Sequence, residues 1–154
     1  MGNLNRKTKF IVPLVLALIT FGGCHSDIVC TKRIKLLKRK CVHVEPLETE
    51  NPYIGRVLKD VIVKEFVRRR FEICDPNSAT IIITGSAFLT QRSESDRNLL
   101  GGSAFSSQAI ESVALAIKDK DGGLLASASY DNTERYTASR IGKELGGALA
   151  DRLK

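Results

Sequence analysis

The sequence predicts an α+β domain, a two-layer sandwich in which two helices cover one face of a mixed β-sheet. Two stretches, 52–70 and 133–154, repeat apolar residues at the spacing of a helix face. Between and around them lie short runs that are rich in β-branched residues or that alternate apolar and polar positions, as strands do. The predicted order of elements is β-α-β-β-β-β-α.

The first 24 residues have the organisation of an export signal. Arg6, Lys7 and Lys9 precede an apolar run from Phe10 to Phe21, and Gly22-Gly23-Cys24 follows. A basic start, an apolar centre and small residues at the cut are typical of a secretory signal. The run is too short to cross roughly 30 Å of hydrocarbon as a helix. The alternative is a short uncleaved anchor in which Cys24 is an ordinary thiol.

The Gly22-Gly23-Cys24 sequence resembles the bacterial lipobox. The resemblance implies that residues 1–23 are removed and that the Cys24 thiol carries a diacylglycerol. By similarity to lipoprotein sorting, His25 in place of an Asp implies residence in the outer membrane, with the domain on its periplasmic face.

The net charge of +7 is concentrated before the domain. Three cations belong to the signal, and residues 41–154 carry 15 basic and 16 acidic side chains. This body lacks the basic face that a nucleic-acid partner requires. Six cations form what we call the basic collar: Lys32, Arg33, Lys35, Lys38, Arg39 and Lys40. The collar either contacts anionic headgroups, at about 1 kcal/mol per cation, or is a solvated linker.

Three regions follow from these patterns: a signal at 1–23, a lipid-anchored basic tether at 24–40, and one periplasmic domain at 41–154. The tether has room for a short strand or a helical turn. Export permits a disulfide, but Cys30, Cys41 and Cys74 leave one thiol unpaired under any scheme. Their spacing with the two histidines does not indicate a metal site, and His43 is interpreted as structural.

The first half of the domain reads as strand, helix and two strands. Cys41–Leu47 alternates and is the first predicted strand. Asn51-Pro52 is a helix start, and Arg68–Arg70 places cations at the negative end of that helix. One helix face is formed by Ile54, Val57, Leu58, Val61, Ile62 and Phe66. Phe71–Cys74 is a short strand that completes a right-handed β-α-β unit with two parallel strands, and Ala79–Gly85 is a central strand.

A polar stretch, 89–107, is predicted as a long loop. It contains Leu99, Leu100 and Phe105, and the exposure of these apolar side chains to water would be unfavourable without a partner. Loops of this kind often carry binding residues, and these three are predicted to bind another protein.

The second half reads as a hairpin and a helix. The 109–118 stretch alternates, with a slip in parity between Ile110 and Val113 that predicts a β-bulge. Asp119–Gly123 is a turn, Leu124–Tyr130 is the return strand, and Thr133–Lys154 is the last helix. Its apolar stripe consists of Tyr136, Ile141, Leu145, Leu149 and Leu153.

These segments resemble the curli secretion channel (CsgG-like) lipoprotein family. The similarity lies in the first strand ending Glu45-Pro46-Leu47, in the run Ala79-Thr-Ile-Ile-Ile-Thr-Gly-Ser86, and in the Asp-Lys-Asp-Gly-Gly hairpin before a final helix. The periplasmic lipoproteins of exopolysaccharide secretion share this outline. The resemblance covers about Lys40 to Leu153. It implies a ring-forming or partner-binding component of the envelope, without cofactor or catalysis.

Two other functions remain open from the sequence. The lipopolysaccharide-assembly lipoprotein that plugs an outer-membrane barrel is similar in plan, and a periplasmic glycan-binding or small-ligand-binding module is the other alternative. An enzyme is not expected, because the sequence has no Gly-x-Ser-x-Gly elbow, no P-loop and no paired-carboxylate motif.

Overall fold

The computed structural model describes residues 26–31, 40–93 and 106–154. Its strands are β1 (Ser26–Cys30), β2 (Cys41–Val44), β3 (Glu72–Ile73), β4 (Ile81–Ser93), β5 (Ser106–Asp119) and β6 (Leu124–Asp131). Its helices are α1 (Pro52–Arg68) and α2 (Ala138–Leu153). Within the described residues, no helix is long and apolar enough to cross a membrane.

The six strands form one mixed sheet in the order β1-β6-β5-β4-β2-β3. β2 is parallel to both β3 and β4, whereas the β1–β6, β6–β5 and β5–β4 pairs are antiparallel. The predicted fold class is therefore confirmed, as are the parallel strands of the first β-α-β unit.

The structure has one strand that the sequence does not predict, β1, which precedes the first predicted strand. β1 lies inside the predicted tether, and all five of its residues pair with β6. Ile28 packs against the core, while Asp27 and Val29 are exposed. The sheet thus extends into the region assigned as a tether. The five residues of β1 do not alternate clearly enough to predict a strand. The pairing that makes them one is with β6, about 100 residues further along the chain, which local sequence does not show.

The loop predicted at 89–107 is wrong at both ends, because β4 continues to Ser93 and β5 begins at Ser106; residues 94–105 lie outside the described residues. The two strands stay paired as a two-stranded ribbon beyond the body of the sheet. The local sequence is polar, and strand prediction relies on one apolar face. The sequences of residues 90–93 and 106–109 do not alternate apolar and polar positions, so they predict a loop and not a strand.

The predicted bulge is confirmed. Phe88 pairs with Ser112 and Leu89 with Ile110, so that Glu111 is the extra residue on β5. The β5–β6 turn is also confirmed, with Gly122 in the left-handed region at φ +82°.

Helix α1 begins and ends as predicted. The side chain of Asn51 accepts a hydrogen bond from the Tyr53 backbone N–H at 3.1 Å, and Pro52 occupies the first turn. Leu58, Ile62 and Phe66 are fully buried on the predicted face.

Helix α2 begins at Ala138, five residues later than predicted, with Thr137 as its N-cap. The buried side chain of Asn132 holds the preceding segment in a turn. Its amide donates to the carbonyls of Ile110 (2.7 Å) and Tyr136 (3.0 Å), and its oxygen accepts from the Tyr136 N–H (2.7 Å). This competition from an Asn side chain removes residues 133–137 from the helix.

The core lies between the two helices and one face of the sheet. It contains Leu58, Ile62, Phe66 and the stripe of α2, except Tyr136, which is only partly buried. Gly142 and Gly146 allow close contact of the helices, since a Cβ on Gly146 would lie 3.0 Å from the Ile62 Cα. The open face of the sheet carries small polar or apolar residues such as Thr84, Ser86 and Ala114.

The cysteine pairing is now defined: Cys41 is bonded to Cys74, with their Cα atoms 5.8 Å apart, and Cys30 is free and exposed. His43 is half-buried, and its Nδ1 lies 3.0 Å from the Cys74 carbonyl oxygen, as expected of a structural histidine.

Candidate functional site

Most of the residues predicted to have a role lie outside the described residues. They are Cys24, five members of the basic collar (Lys32, Arg33, Lys35, Lys38 and Arg39) and the predicted partner-binding residues Leu99, Leu100 and Phe105. Their roles remain predictions. The sixth collar residue, Lys40, donates hydrogen bonds from its Nζ to the carbonyl oxygens of Leu153 and Lys154, the latter at 2.6 Å.

The structure instead defines where these segments leave the domain. Ser26 pairs with Tyr130, Tyr130 with Val113, and Val113 with Ala87. These four residues form one row across the sheet, which we call the entry end. Beyond this row, the β4–β5 ribbon continues in the direction away from Ile81. The start of β1 and the β4–β5 ribbon are therefore at the same end of the sheet.

The opposite end, which we call the far end, contains the start of β4 and the β5–β6 turn (Asp119–Gly123). Thr31 lies there, because its backbone N–H donates to the Leu125 carbonyl oxygen at 2.7 Å. Lys40 lies there too, next to Cys41, which pairs with β3. Thr31, which precedes the collar, and Lys40, its last residue, are thus both at the far end, and Thr31 is five residues along the chain from Ser26.

A shallow groove of about 340 Å³ crosses the open face. It forms where the chain after β2 leaves β4 and returns, since Glu45 bonds to Ile83 and Glu48 to Gly85 through their backbones. Its polar lining consists of the carboxylates of Glu45 and Glu48 and the hydroxyls of Thr84 and Ser86. No aromatic side chain of the described residues lines it, so it lacks a stacking platform for a sugar.

A second cavity, of about 400 Å³, lies between the helices and contains an ion-pair network. The buried carboxylate of Glu65 accepts from Arg68 Nη1 and Arg69 Nη1, both at 2.7 Å. Arg69 Nε also donates to Asp151 Oδ1 at 2.8 Å, which links α1 to α2. This hydrogen bond holds the pKa of Asp151 below its ordinary value, and the hydrogen bonds to Asp151 and Glu65 raise the pKa of Arg69.

The arrangement indicates a helix-to-helix clamp, since Arg68 and Arg69 are engaged by carboxylates. A neighbouring hydrogen bond joins strand β6 to helix α2. Tyr130 donates to Glu144 Oε2 at 2.9 Å, and burial, reinforced by this hydrogen bond, raises the pKa of Tyr130.

Cys41, Glu72 and Cys74 place their potential ligand atoms within 4.8 Å of one another. Both sulfurs belong to the disulfide, however, and a metal binds the thiolate form of cysteine. In the oxidised protein the two cysteines instead form a covalent link between β2 and the segment after β3.

Comparisons with known proteins agree with the fold. No protein-family model and no curated protein matches the sequence. A PelC variant dodecamer from Paraburkholderia phytofirmans is similar in structure, with a TM-score of 0.54 and 14% identity over 84% of this chain and 98% of that chain. A second PelC dodecamer from the same organism gives 0.52 and 14%, over 83% and 96%.

A PDZ domain protein from Parabacteroides distasonis is also similar, with a TM-score of 0.51 and 11% identity over 82% of this chain. The match covers 34% of that longer protein. At these identities the comparisons establish a shared fold.

Sequence reasoning missed β1 and the ribbon, and with them the direction in which the chain enters the sheet. The available signal for β1 was the β-branched pair Ile28-Val29, of which Ile28 packs against the core and Val29 is exposed. For the ribbon, the bulge at Glu111 was the signal, because a bulge requires a paired strand on both sides.

Proposed function

We propose that this protein is a lipid-anchored, non-catalytic component of an envelope secretion assembly of the exopolysaccharide-secretion type. In this proposal, Cys24 carries the lipid and the domain occupies the periplasmic face of the outer membrane. The protein works as a homo-oligomer with other envelope proteins, and Leu99, Leu100 and Phe105 supply apolar contacts to a partner.

The N-terminal sequence is the observation that carries the proposal. A basic start, a short apolar run and Gly22-Gly23-Cys24 have the order and lengths of a lipoprotein signal. Strand β1 begins at Ser26, two residues after Cys24, so the folded domain starts where the mature chain would start. A lipid on Cys24 together with a second membrane contact would satisfy the two-signal condition for stable anchoring.

The assembly part of the proposal has separate support. The sequence resembles lipoproteins of envelope secretion, and the fold is shared with PelC structures described as dodecamers. β1 also supports it, because its outer edge is unpaired within the described residues and edge strands readily pair with another chain.

Expression of the full-length chain tests the proposal with two readouts. The wild-type protein should lose residues 1–23, gain the mass of the lipid and fractionate with the outer membrane, whereas Cys24→Ser should remain a larger precursor. The matched control is Cys30→Ser, which should mature normally. The mature protein in detergent should sediment as a multiple of its monomer. Normal maturation of Cys24→Ser, or a monomer that co-purifies with no envelope protein, would contradict the proposal.

A further inference from the structure

We propose that the entry end of the domain faces the phospholipid bilayer, with Tyr53 and Phe88 in its interfacial layer and the far end directed away from it. The inference rests on the proposed lipidation of Cys24. It adds a lipid-contacting surface on the folded domain, which is separate from the lipid anchor itself.

The connection between Cys24 and the sheet is short. Two residue steps separate Cys24 from Ser26, and they span at most about 7 Å even when fully extended. Ser26 is already paired with Tyr130 in the sheet. A lipid on Cys24 would therefore hold the entry row within about 7 Å of the headgroups, and the chain has no long tether that would let the domain diffuse away.

The β4–β5 ribbon extends beyond the entry row on the same side as Cys24. Past Ala87, β4 continues for six residues to Ser93, which at about 3.4 Å per residue is about 20 Å. The ribbon thus extends further beyond the entry row than the connection to Cys24 can reach. In an upright domain, the ribbon must enter the headgroup layer.

The exposed apolar side chains are distributed unevenly between the two ends of the domain. In the described part of the chain, the large ones are Val29, Tyr53, Val67, Ile73, Phe88 and Leu124. The two aromatic ones, Tyr53 (68% exposed) and Phe88 (60% exposed), both lie at the entry end. Phe88 is one residue past Ala87, and Tyr53 is in the first turn of α1.

Asn51, the N-cap of α1, joins the start of the helix to the ribbon. The Asn51 Nδ2 donates to the Gln108 Oε1 at 2.9 Å, and Gln108 pairs with Gln91, beyond the entry row. The start of α1 therefore lies level with the ribbon. Tyrosine is enriched at the membrane–water interface, because one end of its side chain is apolar and the other is polar. The exposed ring of Phe88 adds apolar surface at the same end of the domain.

Of the exposed aliphatic residues, Val29 pairs with Ser127 between the two ends of the sheet, and Val67, Ile73 and Leu124 lie toward the far end. Val67 is at the end of α1 near β3, and Leu124 pairs with Lys118 at the far end. Leu124 is six residues along β6 from Tyr130, a separation of about 20 Å. An upright domain would keep both residues in water, whereas a sheet lying along the bilayer would bring far-end residues and the flanks of the collar to the lipid as well.

The sequence offers a direct test because it contains no tryptophan. Tyr53→Trp and Phe88→Trp each create a single reporter at the entry end, and Val67→Trp (55% exposed) and Leu124→Trp (49% exposed) are matched controls at the far end. Each lipidated full-length variant is reconstituted into vesicles of phosphatidylethanolamine and phosphatidylglycerol that contain brominated phosphatidylcholine. Tryptophan at 53 and 88 should lose most of its fluorescence and become shielded from acrylamide, whereas the controls should change little.

Equal quenching of all four reporters, or quenching of the controls alone, would overturn the proposed orientation. All four positions are exposed, so the substitutions should preserve folding, and a thermal melt of each variant checks this. Mass spectrometry and flotation with the vesicles separate the two levels of the proposal. A lipidated, floating protein with the reversed pattern rejects the orientation alone, whereas a chain without lipid on Cys24 rejects the proposed function and the orientation together.

Discussion

Removal of the Cys41–Cys74 disulfide is expected to destabilise the domain substantially. The bond joins β2 to the segment that follows β3, and the chain between the two cysteines contains all of helix α1. Cys41 is 2% exposed, so the link lies against the core and not in a mobile surface loop. The double variant Cys41→Ser/Cys74→Ser leaves this segment unconstrained in the unfolded chain.

The magnitude follows from the length of the closed loop. For a sequence separation of 33, the chain-entropy relation gives an entropy of about 12.5 cal/mol/K, or about 3.7 kcal/mol at 25 °C. This is a large part of the 5–15 kcal/mol that is typical of a folded domain. The melting temperature should fall by on the order of 10–15 °C.

Urea unfolding followed by circular dichroism measures this loss. The control is Cys30→Ser, because Cys30 is exposed and free, and its replacement should change the free energy of unfolding by no more than about 0.5 kcal/mol. Wild-type protein treated with a thiol reductant should match the double variant. If the double variant is as stable as the wild type, or if Cys30→Ser is the destabilised protein, the assigned pairing or its contribution is wrong.

Two further predictions concern the contact between the helices. Gly146→Val should lower the free energy of unfolding by about 1–3 kcal/mol, because a Cβ there lies 3.0 Å from the Ile62 Cα; the exposed Ser139→Val should change it little, and equal effects would refute the packing argument. Asp151, whose pKa is lowered in the folded state by its hydrogen bond from Arg69, contributes stability above its ordinary value of 3.8 and loses that contribution as the pH falls through the lower folded pKa. The wild type should therefore exceed Asp151→Asn in stability at neutral pH and converge with it in acid; a difference that stays constant with pH would rule out the ion pair as its source.

Local patterns predicted most of the elements correctly. Helix α1 followed from the spacing of Leu58, Ile62 and Phe66 with a capping Asn51, and the β-bulge followed from the slip in parity after Ile110. These features depend on residues within about one turn or a few strand positions of each other, so the sequence contains the information directly.

The extent of α2 and of the β4–β5 ribbon depended on interactions that local patterns do not show. Asn132 ends the turn before α2 through bonds to Ile110 on a distant strand. The ribbon is held by the pairing of β4 with β5, and its polar composition resembles that of a loop. In both cases a tertiary hydrogen-bond partner outweighed the intrinsic preference of the segment.

The sequence by itself determined the α+β class, the two helices, the separation of a basic collar from a nearly neutral body, and a candidate lipid attachment point. Only the tertiary structure decided that Cys41 pairs with Cys74, that β1 belongs to the sheet, and that Ser26 and the β4–β5 ribbon emerge at one end while Thr31 and Lys40 lie at the other. The physical reason is range: composition and periodicity report on neighbours along the chain, whereas strand order, cysteine pairing and direction arise from contacts between residues that are tens to about a hundred positions apart.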